Sequence, residues 1–167
     1  MNKYLVLSPI LFVAIMWLIK SPYIATLIIS AILIPYFLIK EKPKINKITA
    51  KQVLLTVLAV AILILISSIK RQETEITVLS ILAIVLLGPI NEEIIFRYYS
   101  FKKSNINPII AAIISTAFFA VAHGLDPMTI WVTAIAGFVF CALYYLTDNF
   151  VLTVIAHILA NAILFLI

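Results

Sequence analysis

Charged residues, cysteine and histidine are all scarce in this chain. Twelve basic and seven acidic side chains make 11% of its 167 residues, against 65% hydrophobic, too little charge to cover a water-soluble domain. The mean hydropathy of +1.21 places the chain among integral membrane proteins. A lone cysteine, Cys141, excludes a disulfide framework and a multi-cysteine metal centre. Set in an apolar run, it reads as a small buried hydrophobe. There is no internal repeat, no low-complexity tract and no linker longer than about a dozen residues, so residues 1–167 read as one membrane domain. The net charge of +5 does not imply a nucleic-acid partner. The lysines concentrate in one loop, "KEKPKINKITAK" at 40–51, while the aromatics lie mostly in apolar runs.

What is abundant is the long apolar run. A spanning helix needs about 20 such residues, about 17 at the short end. Runs of this kind fall near 4–19, 22–39, 52–69, 76–100, 108–124, 127–146 and 150–167. They predict an all-α, polytopic transmembrane helical bundle of six to seven spans, with membrane lipid as its constant partner. The segment 76–100 reads either as one kinked helix or as a span followed by an amphipathic helix. The opening Met-Asn-Lys resembles a signal peptide, but no small-x-small site precedes Lys20, so an uncleaved first span is expected. By the positive-inside rule, Lys3, Lys40, Lys42, Lys44, Lys47, Lys51, Arg97, Lys102 and Lys103 lie at the inner face and Lys20, Lys70 and Arg71 outside. A multi-pass protein of the cell membrane with a cytoplasmic N-terminus is expected.

Content is uneven along the chain. The spans of residues 1–75 carry almost no polar groups beyond serine, threonine and Gln52 and read as scaffold, whereas 88–161 hold every candidate for chemistry within a catalytic core at 76–165. Asn107-Pro108 and Asp126-Pro127 mark helix starts, a capping side chain followed by proline at the first helical position. Gly124 can end the helix before it. Gly88-Pro89 should kink or break its helix and free backbone groups that must be satisfied within protein or by water.

Directly after that dipeptide stands "NEEIIFR". A carboxylate inside a span is costly and is a functional hypothesis by default. On a helix, Glu93 lies four residues before Arg97 in the favoured orientation for an ion pair. Glu92 is rotated about 100° away, with no arginine of its own, which leaves it as a general-base candidate. The competing reading is a helix end at the membrane surface with two solvated acids. His123 and His157 both fall in apolar helices, where each could be a hydrogen-bonded interior side chain. Asn161, four residues after His157, projects from the same face, and two adjacent donors suit an oxyanion hole as well as interhelical bonding. Counting at 1.5 Å per residue from the inner face puts Glu92 roughly 14 Å deep, His157 roughly 10 Å, Asn161 roughly 16 Å and His123 roughly 22 Å. His123 is the outlier.

These residues together resemble the CAAX-protease and bacteriocin-processing group of intramembrane peptidases, which includes the eukaryotic prenyl-protein endoprotease. "EEIIFR" matches its two glutamates and arginine as Glu92, Glu93 and Arg97. "FAVAH" matches its phenylalanine and histidine as Phe119 and His123, and "HILAN" its histidine and asparagine as His157 and Asn161. The resemblance spans roughly 76–165, with Tyr98 where the family often has glycine. It implies an intramembrane endopeptidase in which Glu92 and His123 activate water, His157 and Asn161 form the oxyanion hole, and Glu93, Arg97 and Phe119 give structural support. The substrate would be a membrane-associated peptide or lipidated protein. Zinc held by Glu92, His123 and His157 is the alternative to metal-free catalysis. The chain lacks the His-Glu-x-x-His pattern that gives a zinc site its local geometry, so the metal-free mechanism is preferred, with no cofactor but the catalytic water. Two other functions compete: a non-proteolytic binding or bacteriocin-immunity protein of the same fold, and a proton-coupled transporter, which the clustering of the polar residues disfavours. The wealth of isoleucine and lysine fits an AT-rich bacterial genome.

Overall fold

Helix starts in this chain are written into short side chains ahead of apolar runs, and the structure, a computed structural model, uses them. It describes residues 3–19, 21–43, 47–69 and 77–166, with side chains from Leu7 onward. Among the described residues there are seven helices and no strand: α1 Lys3–Leu18, α2 Pro22–Lys40, α3 Ala50–Ser67, α4 Val78–Lys102, α5 Pro108–His123, α6 Pro127–Thr147 and α7 Phe150–Leu166. Asn107 Oδ1 accepts from the Ile109 amide at 2.9 Å and Asp126 Oδ1 from that of Thr129 at 3.0 Å, so both predicted caps form. Thr49 and Gln52 cap α3 reciprocally. Gly124 ends α5 at φ +146°, a conformation that only glycine takes without strain. Lys20, Lys44, Lys70 and Arg71, which entered the charge count for orientation, lie outside the described residues.

Helices α2, α3, α4 and α6 are long and apolar enough to cross a membrane. The other three are apolar but shorter, and at about 1.5 Å per residue a helix of 16 residues such as α5 reaches about 24 Å, less than the roughly 30 Å hydrocarbon core. Six to seven spans were expected, and among the described residues there are seven apolar helices, four of which meet the full length. The exterior is apolar, with Ile32, Leu65, Ile109 and Trp131 more than two-thirds exposed, while Asn91, Glu93, Arg97, Ser115 and Thr153 are buried. Polar groups inside and large apolar side chains outside are the arrangement a lipid solvent demands. The protein is a helical membrane protein.

All seven helices contribute to one core, through Phe12, Ile29, Ala59, Phe96, Phe119, Phe140 and Ala156. Helix α4 is its centre: α1, α2, α5 and α7 all pack on it, and α3 packs on α6 and α7. Gly88-Pro89 was expected to kink or break its helix, and the break does not occur. The helix runs on from Val78 to Lys102 by changing its winding, with i→i+5 turns over Ile81–Leu87, α-helical turns over Gly88–Glu92 and i→i+5 turns again over Glu93–Lys102. Side chains from neighbouring helices reach into the widened ladder. Asn161 Nδ2 donates to the Ile84 carbonyl at 2.9 Å, and the Ser115 hydroxyl donates to that of Phe96. Such insertions are a recognised cause of helix distortion, and π-type turns gather at functional sites.

At the Lys102 end of α4, Glu41 accepts hydrogen bonds from the Tyr98 hydroxyl at 2.8 Å and from Tyr99 at 3.4 Å, and pairs with Lys103 at 2.9 Å. Burial works against the charge on Glu41, yet the bonds from Lys103 and Tyr98 hold its carboxyl below the usual range. Tyr98 therefore has a partner of its own on the loop after α2. Gln52 Nε2 donates to the Thr147 carbonyl at 2.7 Å, tying α3 to the end of α6.

Candidate active site

Three helices supply the polar cluster: α4 brings Asn91, Glu92, Glu93 and Arg97, the last turn of α5 brings His123, and α7 brings His157 and Asn161. The adjacent glutamates have different surroundings. Glu93 is fully buried and engaged through both oxygens, with Oε1 2.9 Å from His157 Nδ1 and Oε2 3.4 Å from Arg97 Nε. The Arg97 guanidinium is also fully buried, stacked 4.3 Å from the centroid of the Phe119 ring and 4.9 Å from that of Phe140, where a cation is held by the ring quadrupoles. Glu92 has a side chain 14% exposed, and its Oε2 has no hydrogen bond but lies 3.7 Å from both His123 Nε2 and His157 Nε2.

The tautomers follow from what each ring meets on its other side. His123 Nδ1 lies 2.8 Å from the Phe119 carbonyl, which can only accept, so Nδ1 carries the proton. His157 Nδ1 likewise donates to the Glu93 carboxylate at 2.9 Å. In the neutral form both rings then turn an unprotonated Nε2 toward Glu92. Three acceptors thus converge at separations too long for direct hydrogen bonds. A water molecule donating its protons is the natural occupant of such a gap. The rings are fixed by stacking, His157 on Phe140 with centroids 4.3 Å apart and His123 on Phe119 at 4.5 Å.

The donor types would also suit zinc, with each histidine held through its second nitrogen as metal ligands usually are. As placed, however, no three His, Cys, Asp or Glu side chains among the described residues are gathered closely enough to hold a metal ion.

Of the residues singled out from sequence, Glu92, His123 and His157 meet at one point, Glu93 and Arg97 form their i, i+4 ion pair, and Phe119 lies under both Arg97 and His123. The depth count that set His123 apart is overturned by its 3.7 Å approach to Glu92. That count assumed parallel helices starting from one plane and took no account of side-chain reach or helix tilt. Asn161 has its amide on the Ile84 carbonyl, one turn from His157. Three features escaped the sequence reading: the bond between Glu93 and His157, 64 residues apart, the Phe140 ring beneath His157, and the anchoring of Asn91 to α2 through Ser30 Oγ at 2.8 Å and the Thr26 carbonyl at 3.2 Å. No periodicity or motif signals any of them.

A search of curated proteins and one of solved structures each find no match to this chain. A family model described as Rce1-like, type II CAAX prenyl endopeptidase, matches residues 74–163, more than half of the chain and all of the cluster just described. The chain belongs to the type II CAAX prenyl endopeptidase Rce1-like family.

Proposed function

We propose that this protein is an intramembrane endopeptidase that hydrolyses a peptide bond in a membrane-associated or lipidated peptide. The convergence of Glu92 Oε2, His123 Nε2 and His157 Nε2 is the observation that carries this reading. A water held between Glu92 and His123 gives its proton to one of them as its oxygen attacks the scissile carbonyl carbon. The oxyanion that forms needs N–H donors in a site with little water. Asn161 has a second N–H to offer beside the one bound to Ile84. His157 can donate only with Nε2 protonated as well, and Glu93, on the far side of the ring at 2.9 Å, is the counter-charge for that form, as in a carboxylate–imidazole pair. Collapse of the intermediate returns the proton to the leaving amine.

An apolar groove of about 370 Å³ lies between α1 and α5, lined by Ile10, Val13, Ala14, Ala117, Phe118 and Val121. It supports a substrate with an apolar anchor. With the loop at 40–51 on the cytoplasmic side, the N-terminus is cytoplasmic, and residues 76–165 form the catalytic core on a scaffold of the first three helices.

Reconstituted in proteoliposomes, the protein should cleave a prenylated peptide at one bond, with activity that survives strong chelators and is lost in His123→Ala. Binding of the lipidated peptide without any cleavage would favour the non-proteolytic immunity-type reading instead. Loss of activity with chelators, restored by zinc, would overturn the metal-free mechanism.

A further inference from the structure

The α4 ladder contains a gap that a side chain from another helix fills. Gly88 N–H donates to the carbonyl of Ala83, five residues back. In that register the next donor, for the Ile84 carbonyl, is residue 89. It is a proline and has no N–H. An orphan carbonyl in the middle of a membrane helix costs several kcal/mol or finds another partner. Here the partner is Asn161 Nδ2, at 2.9 Å.

We infer that Pro89 is a positioning residue: by withholding an N–H it hands the Ile84 carbonyl to Asn161 and so sets the orientation of that amide. The hand-over fixes two things at once. It decides which end of the amide faces α4, because Oδ1 would be repelled by the carbonyl. It also commits one of the two Nδ2 protons, so the second is held in a fixed direction on the helix face that carries His157, whose Nε2 faces Glu92 at 3.7 Å. Gly88 completes the device. A Cβ there would stand 2.7 Å from the Ala83 carbonyl oxygen, so only glycine lets the ladder close up to the point where proline interrupts it. The catalytic meaning of the aim rests on the peptidase reading above. The hand-over itself does not.

The test is a double-mutant cycle on the full-length protein in detergent, with Pro89→Ala and Asn161→Ala. With Pro89, loss of the Asn161 amide orphans the Ile84 carbonyl, and the unfolding midpoint should fall. In the Pro89→Ala background, where position 89 supplies its own N–H, the same loss should leave the midpoint unchanged. Equal falls in both backgrounds overturn the inference. Should Pro89→Ala fail to fold, isotope-edited infrared of a ¹³C-labelled Ile84 carbonyl decides: Asn161→Ala alone should raise its stretching frequency, and an unchanged band overturns the inference.

In the cleavage assay, Pro89→Ala and Asn161→Ala should each lower kcat by about tenfold or more, with KM within about twofold, and the double variant should be no worse than either single one. Full kcat in a folded Pro89→Ala protein overturns the positioning role. A wild-type protein that cleaves nothing defeats the peptidase reading while leaving the hand-over to the stability cycle and the infrared band.

Discussion

Glu92 and Glu93 are neighbours in sequence but not in environment. Glu93 is closed off by its ion pair with Arg97 and its bond to His157, whereas Glu92 turns an oxygen toward two imidazoles at 3.7 Å. The split was legible in part, because the i, i+4 spacing of Glu93 and Arg97 needs only helical geometry. The role of Glu93 toward His157 was not legible, since it depends on how α4 and α7 dock. The ion pair is buried on both sides, and removing one partner of such a pair strands the other. Arg97→Leu should therefore cost about 3–5 kcal/mol of stability, read as a lowered unfolding midpoint in detergent. Adding Glu93→Gln to that variant should recover part of the loss, because the stranded charge is then gone. A further loss in the double variant would mean that Glu93 matters to the fold through His157 more than through Arg97.

At the scale of the helix, α4 shows why local sequence signals succeed at some places and fail at others. Asn107 and Asp126 cap their helices as read, because a capping side chain reaches amides two or three residues away. Gly88-Pro89 was read as a kink or a break, and the helix continues with changed winding. Proline removes a donor in either case. Whether the chain breaks or re-registers depends on what can satisfy the freed carbonyl, and that partner comes from α7. The glycine can be tested apart from the proline. Gly88 has an ordinary helical φ of −56°, so Gly88→Ala carries no conformational penalty and acts only by crowding the Ala83 carbonyl at 2.7 Å. It should destabilise the protein by about 1–3 kcal/mol, where alanine at an open helical glycine would stabilise it by several tenths of a kcal/mol or more. A stabilised Gly88→Ala protein would show that the approach of helix and carbonyl is looser than described.

For the whole molecule, composition and the spacing of apolar runs already specified an all-helical membrane bundle, because 65% hydrophobic residues with 11% charged, gathered in runs of spanning length, must bury their backbone polar groups within helices. The apolar runs correspond to the seven helices described, of which α1, α5 and α7 are apolar without being long. The meeting of His123 with Glu92 was legible only through the family resemblance, since counting residues along the helices had set His123 apart. The first helices are joined to the rest by polar ties as well as by the core, chiefly Glu41 to Tyr98, Tyr99 and Lys103. Because the Glu41 carboxyl is held below its ordinary value of 4.5 in the folded protein, its contribution is complete above that value. It is lost as pH falls through the lower folded value. Stability should drop on acidification below about pH 4.5 more in the wild type than in Glu41→Gln, and parallel curves would show that the tie is not formed. The central claim is that Glu92 activates water at the meeting point of α4, α5 and α7. Its most direct test is the rate of peptide-bond cleavage by reconstituted Glu92→Gln, in a protein shown to keep the wild-type unfolding midpoint. A fall of about 10²-fold or more is expected for loss of a general base, and a rate within a few-fold of wild type would contradict the claim.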